Sequence, residues 1–246
     1  MINSTIGIVG FFVIFLASVT QGLAGFGFAL VSASIMIIFL PPKVVVPIIL
    51  IQGTLINLII LIKAKKWVDL KRIWPLILAG IVGVPFGTFF LIVLKDSTSK
   101  MFIGSVIILF SVAFLMGFKK KIKNEKLAFV PVGFISGLLS GSTTMGGPPV
   151  ILFFANQDVE KQVFRANLVA YFMSLSLIAF PSYFLSGLIT MEVIEYTILF
   201  LPAMILGAII GIKLVHKIEE KLFRKIALII VIIAGVLSVV SGLGIL

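Results

Sequence analysis

Two glycine- and hydroxyl-rich segments interrupt an otherwise apolar chain, and their residue types suit the binding of a small anion. The longer segment, at 136–149, contains Ser140, Gly141, Ser142, Thr143, Thr144, Met145, Gly146, Gly147 and Pro148. The shorter, at 21–29, contains Gln21, Gly22, Gly25, Phe26 and Gly27. Glycine lets backbone approach a ligand closely, and a helix N-terminus binds anions through unpaired N–H groups without a buried cation. We therefore predict that these residues form a binding site for a small anion.

The composition predicts that these segments are positioned by membrane-spanning helices. Hydrophobic residues make up 61% of the 246 residues, and the mean hydropathy is +1.29. Apolar runs near the 20 residues needed to cross a bilayer recur along the chain. The longest polar stretch, 119–126, leaves no room for a soluble domain. We predict an all-α polytopic protein of the cytoplasmic membrane with one transmembrane domain over 1–246, and the N-terminus shows no pattern of a removable signal peptide.

Charge and missing residue types narrow the possible functions. The net charge of +11 is attributed to cytoplasmic loops that face anionic lipid, and no nucleic-acid partner is expected. The absence of cysteine excludes disulfides and thiol chemistry. No metal-ligand cluster, nucleophile–base pair or phosphate-binding Gly-Lys-Ser/Thr motif is visible. These absences predict a protein that is not an enzyme and has no cofactor or metal.

The distribution of basic residues predicts how the chain crosses the membrane. The apolar segments lie at 5–20, 28–40, 44–62, 73–94, 101–118, 127–141, 148–155, 166–187, 191–212 and 222–246. The pairs 5–20/28–40 and 127–141/148–155 are short, and each pair brackets one glycine-rich segment. If each pair is a hairpin without a net crossing, 17 of the 20 basic residues fall on one side. If each is a single span, the split is 10 to 10. The positive-inside rule favours hairpins, with both termini outside.

Weak internal matches predict a duplication. Gly22-Leu23 with Gly25 resembles Gly137-Leu138 with Gly141, Pro75 and Gly80 resemble Pro202 and Gly207, and Lys100-Met101-Phe102 resembles Lys221-Leu222-Phe223. We predict repeat one at 1–118, a cytoplasmic linker at 119–126 and repeat two at 127–246. Each repeat holds a hairpin and three spans, so the repeats are inverted and the hairpin tips meet near the membrane midplane. Inverted repeats with broken helices are typical of secondary transporters.

Several polar residues within apolar runs keep two interpretations open. Gln52, Thr54, Asn57, Asn156 and Asn167 can face a cavity or form interhelical hydrogen bonds. Arg165 is either a cation of the binding site or a cytoplasmic anchor that snorkels to the interface. The glycines Gly80, Gly83, Gly87, Gly207 and Gly211 are predicted to allow close helix packing.

The same motifs resemble a known family. The run Gly141–Val150 followed by Val163-Phe164-Arg165-Ala166, and the run Gln21–Ala29 followed by Pro41-Pro42-Lys43, resemble the TauE/SafE sulfite exporter family. The resemblance covers nearly the whole chain, although Gly25-Phe26-Gly27 replaces the commoner triple glycine. It implies a transporter of sulfite, organosulfonates or related small anions.

The leading hypothesis is a secondary transporter, an exporter, that works by alternating access. A passive anion channel, an uptake carrier for another small organic acid and a non-transporting scaffold remain alternatives. The expected partners are a small anionic substrate and the lipid bilayer. The sequence leaves the exact substrate, the coupling ion and the oligomeric state open, with a homodimer as one option.

Overall fold

The computed structural model describes residues 4–116, 124–155, 160–214, 232, 236 and 239–243. These residues contain helices and no strand. The predicted linker 119–126, the polar residue Asn156 and the last apolar segment, 222–246, fall wholly or mostly outside them. The helices are α1 Ser4–Ala24, α2 Phe28–Phe39, α3 Pro42–Ala64, α4 Leu70–Val93, α5 Asp96–Met116, α6 Glu125–Thr143, α7 Gly147–Ala155, α8 Lys161–Leu185 and α9 Met191–Leu214.

Among the described residues, six helices are long and apolar enough to cross a membrane, so the protein is a membrane protein. They include Ile6–Ala24 in α1, with a mean hydropathy of 2.1. The first arm, expected as a short segment at 5–20, is therefore longer than expected and can cross the membrane. The helix continues because the buried side chain of Gln21 bonds to Asn57 rather than to solvent. The arms Phe28–Phe39 and Leu127–Thr143 are shorter, as expected.

Both hairpins break by the same local geometry. At the end of α1 the Gly25 N–H donates to the Gln21 carbonyl at 2.8 Å, and Gly25 has a φ of 80°. At the end of α6 the Thr144 N–H donates to the Ser140 carbonyl at 3.0 Å, and Thr144 has a φ of 58°. A left-handed residue after the last turn is a common helix end. Gly25 and Thr144, 119 positions apart, therefore end their helices with the same backbone geometry.

The first arm of each hairpin packs on a helix of the other half, α1 on α9 and α6 on α4. A Cβ at Gly207 would collide with the Phe15 carbonyl, and one at Gly83 would collide with the Phe134 carbonyl, again 119 positions on from Phe15. Gly211 meets Val19 and Gly87 meets Leu138 in the same way. The predicted packing role of Gly80, Gly83, Gly87, Gly207 and Gly211 is confirmed. In these contacts Gly22 corresponds to Gly141 rather than to Gly137, since Gly22 lies beside Gly211 and Gly141 lies beside Gly87.

Contacts along these pairs give the helix directions. Gly133, Gly137 and Gly141 of α6 lie beside Leu76, Gly80 and Val84 of α4 respectively, so these two helices are parallel. The α1–α9 pair is parallel too, because Gly10 lies beside Phe200 and Gly22 beside Gly211. In contrast, α3 and α8 are antiparallel. Thr54 bonds to Ser176, whereas the Asp69 N–H, beyond the end of α3, bonds to Asn167 near the start of α8.

Candidate functional site

A cavity lies between the two hairpin breaks and the middle of α3 and α8. Its volume, as space open to the centre of a water-sized sphere, is about 80 Å³. One water needs roughly 10–15 Å³ on this measure, so the cavity can hold a small polyatomic ion. It is lined by Gln21, Phe26, Gly27, Phe28, Ala29, Leu30, Ile49, Leu50, Gly53, Thr54, Asn57, Ser140, Thr144, Met145, Gly147, Pro148, Ile151, Phe172, Leu175, Ser176 and Ala179.

Half of the residues predicted for the site line this cavity. They are Gln21, Phe26, Gly27, Asn57, Ser140, Thr144, Met145, Gly147 and Pro148. The other nine do not line it. They are Gly22, Gly25, Gln52, Gly141, Ser142, Thr143, Gly146, Arg165 and Asn167.

On the first-half side, a short chain of hydrogen bonds fixes the polar groups. The Phe28 N–H, at the start of α2, donates to Gln21 Oε1 at 3.1 Å. Gln21 Nε2 in turn donates to Asn57 Oδ1 on α3 at 2.9 Å. Gln21 and Asn57 are 4% and 6% exposed. Because both side-chain oxygens accept bonds within this network, the Asn57 amino group is left as the donor to the cavity.

On the second-half side, the break is tied to α6. The Gly146 carbonyl accepts a hydrogen bond from the Ser136 hydroxyl, and a Cβ at Gly146 would collide with the Ser140 hydroxyl. The Met145 N–H donates to Thr143 Oγ1 at 3.1 Å. Gly147 is less confined, since a Cβ there would lie 3.2 Å from Ile151 Cδ1 and 3.3 Å from Phe172 Cζ. The second break therefore shows a packed glycine, Gly146, beside one that faces the cavity, Gly147.

Most of the predicted residues outside the cavity have structural partners. Gly22 packs on α9 and Gly141 on α4. The hydroxyls of Ser142 and Thr143 donate to carbonyls one turn earlier in α6, at 2.8 Å in both cases. Gln52 forms an interhelical bond, and Asn167 binds the residue before α4. Gln52 Nε2 donates to the Thr197 carbonyl at 3.2 Å, and Asn167 Oδ1 accepts from the Asp69 N–H at 2.7 Å.

Arg165 lies at the first break, outside the cavity. Its Nη2 donates to the Gly22 carbonyl at 2.6 Å, and its Cγ would be 2.6 Å from a Cβ at Gly25. Gly22 belongs to the last turn of α1, where cations are favoured by the helix dipole and bind the terminal carbonyls. In this conformation Arg165 connects the first break to α8.

The sequence reasoning missed the wall formed by α8. Phe172, Leu175, Ser176 and Ala179 follow the spacing of one helical face and line the cavity. Ser176 lies 3.0 Å from the Thr54 hydroxyl, which also lines the cavity. The available signal was the helical spacing of small and polar residues, which many packing faces also show.

The cavity offers neutral groups and no ionisable side chain. None of its lining residues is Asp, Glu, Lys, Arg or His. In the described ranges, no group of three or more His, Asp or Glu residues could hold a metal ion. Such a lining suits a ligand recognised by amide and hydroxyl donors and by helix N-termini.

Comparison with known proteins gives one family. The family model described as Sulfite exporter TauE/SafE matches residues 10–238. Searches of curated proteins and of solved structures gave no significant match.

Proposed function

The chain belongs to the Sulfite exporter TauE/SafE family, a family of transporters, and from this premise we propose that it exports a small anion across the cytoplasmic membrane by alternating access. The proposed substrates are sulfite, organosulfonates or related anions. The observation that carries the proposal is the shared cavity. Two helix breaks from opposite halves of the chain line one space, as in transporters whose discontinuous helices hold the substrate.

We propose in addition that the halves form an inverted repeat. The equivalent helices α3 and α8 run antiparallel, and each half packs its first hairpin arm on the other half. The charge pattern is consistent with this arrangement. Arg72 forms a salt bridge with Glu125 at 2.7 Å, which joins the first turns of α4 and α6, both assigned to the cytoplasmic side. Gly242 lies beside Ser97 and Met101, two residues assigned to the outside.

The energetics of the membrane favour export over concentrative uptake. A potential negative inside drives a monovalent anion outward by about 2.3 kcal/mol per 100 mV. Export therefore needs no titratable coupling residue, and none lines the cavity. Concentrative uptake of an anion against this potential would need a coupled ion.

Purified protein in liposomes tests the proposal. Vesicles are loaded with sulfite or methanesulfonate, and the potential is clamped with potassium and valinomycin. Net anion flux should reverse when the potential is reversed, and it should saturate and show counterflow, unlike flux through a channel. Flux that ignores voltage but requires an imposed sodium or proton gradient would favour the uptake carrier. If no anion moves under any condition, the transport proposal fails.

A further inference from the structure

We infer that the oxyanion group of the substrate binds at the first break, to the N-terminus of α2 and to Asn57, and that this site selects monovalent oxyanions. The inference rests on the proposed function, because it assumes one substrate anion in the cavity and says which helix break binds its oxyanion group. It places the main contacts in the shorter glycine-rich segment, 21–29, and at Asn57, rather than in the longer segment, 136–149.

The N-terminus of α2 supplies backbone donors. The Phe28 N–H donates to Gln21 Oε1, and Gly27, the residue before the helix, has no side chain that could cap the next N–H groups. The N–H groups of Ala29 and Leu30 follow in the first turn, where no intrahelical acceptor exists. Among the described residues, neither N–H donates to another group. Both residues line the cavity, so two amide donors and the positive end of a helix dipole are available there.

The Gln21–Asn57 pair determines that the site presents hydrogen-bond donors. Gln21 is a positioning residue: its carbonyl oxygen accepts from Phe28 and its amino group donates to Asn57 Oδ1. This orientation places the Asn57 amino group toward the cavity, and no acceptor is bound to it in the described parts of the chain. An oxyanion only accepts hydrogen bonds, and it can therefore pair with Asn57 and with the α2 amides.

The N-terminus of α7 lacks the corresponding donors. Helix α2 begins at Phe28 and α7 at Gly147, 119 positions later. Ala29 and Leu30 therefore correspond to Pro148 and Pro149, which have no N–H. The remaining wall near α7 contains Ile151 and Phe172 and suits the apolar part of an organic anion. The two breaks resemble each other in backbone shape and differ in their donors.

The neutral lining favours a single negative charge. No cation lines the cavity, so a bound anion is stabilised only by hydrogen bonds and helix dipoles. The cost of removing a second charge from water is not offset there by an ion pair. We therefore expect methanesulfonate to bind, and sulfate, of similar oxyanion geometry and twice the charge, to bind at least tenfold more weakly.

A reciprocal pair of proline substitutions tests the backbone donors. Ala29→Pro removes one N–H at a position where the equivalent helix already has proline, so the fold should accept it. Pro148→Ala adds one N–H at the second break. Methanesulfonate binding to the full-length protein in detergent, measured by calorimetry, should weaken at least tenfold for Ala29→Pro. It should be unchanged or stronger for Pro148→Ala.

Side-chain variants test Asn57 by the same assay. Asn57→Asp replaces a donor by a carboxylate, and Asn57→Leu removes it at similar volume, so both should weaken binding at least tenfold. Gln52→Leu is the matched control on α3, because the Gln52 amide donates to the Thr197 carbonyl and does not line the cavity. It should change affinity less than threefold. The thermal midpoint of each variant verifies folding. If the Asn57 variants do not fold, Ala29→Pro still tests the site.

The outcomes separate this inference from the transport proposal. If the wild type binds methanesulfonate while Ala29→Pro and the Asn57 variants bind it equally well, the first break is not the oxyanion site. Equal affinity for sulfate and methanesulfonate would overturn the selection for one charge. Both results leave the transport proposal standing. If the wild type neither binds nor transports any tested anion, the proposed function itself fails.

Discussion

Two glycines that face different surroundings should respond oppositely to the same substitution. A Cβ at Gly87 of α4 would collide with the Leu138 carbonyl of α6 and would lie 2.8 Å from the Ser142 nitrogen. These are backbone atoms of a packed helix, so they cannot move aside as a side chain does. A Cβ at Gly53 of α3 would meet only Phe28, at 3.5 Å, which is an ordinary contact.

The magnitudes follow from two opposing terms. Replacing glycine by alanine within a helix stabilises it by about 1 kcal/mol. At Gly87 this gain is outweighed, because the contacts are with backbone and the overpacking cost lies at about 2–3 kcal/mol, the upper part of its usual range. We expect Gly87→Ala to lose about 1–2 kcal/mol, or roughly 2–8 °C in the thermal midpoint for a chain of this size. Gly53→Ala should leave the midpoint unchanged or raise it, while its methyl group narrows the cavity and weakens anion binding.

Thermal unfolding in detergent and methanesulfonate binding measure the two effects separately. The reasoning requires a stability loss at Gly87 and a binding loss with intact stability at Gly53. A Gly87→Ala protein as stable as the wild type would show that close approach of α4 and α6 is not the role of this glycine. A destabilised Gly53→Ala protein would contradict the space found beside that residue.

Two further predictions test the topology and the first break. In the cysteine-free chain, a single cysteine at Ser97 should react with an impermeant reagent from outside intact cells and one at Asn124 should not; labelling of Asn124 would refute the topology. Gly25→Ala should lower the thermal midpoint more than Gly187→Ala. Both positions have a positive φ, 80° and 69°, but a Cβ at Gly25 would lie 2.6 Å from Arg165 Cγ, whereas a Cβ at Gly187 would have no contact within 4 Å. Equal losses would show that Arg165 does not confine the first break.

The breaks themselves could be predicted because their causes are local. Glycine adopts positive φ without a steric penalty, and Pro148 and Pro149 can begin a helix but not continue one. The length of α1 could not be predicted in this way. Gln21 looks like the end of an apolar run, and only its partner Asn57, 36 positions away, makes it a buried part of the helix. A local pattern contains no information about such a partner.

The same limit explains why the site was only half predicted. Gly22 and Gly27 are identical in type and close in sequence, but Gly22 packs on α9 and Gly27 lines the cavity. The difference depends on which face of the hairpin meets the other half of the protein. Phe172 and Ser176 line the cavity because α8 packs on α3, and no feature of their own segment distinguishes them from packing residues.

A neutral site also fits the demands of a carrier that must return empty. A lysine or arginine in the cavity would bind an anion more tightly, but it would stand unpaired in a low-dielectric surrounding once the anion left. Amide donors cost less free energy when the anion leaves, because water can then accept the same hydrogen bonds. Under the proposed mechanism the donors belong to α2 and α3, whereas α7 and α8 form the opposite wall of the cavity. Substitutions at Ala29 and Asn57 should then change affinity, whereas changes to the α7–α8 wall should change the rate at which the empty and loaded carriers reorient.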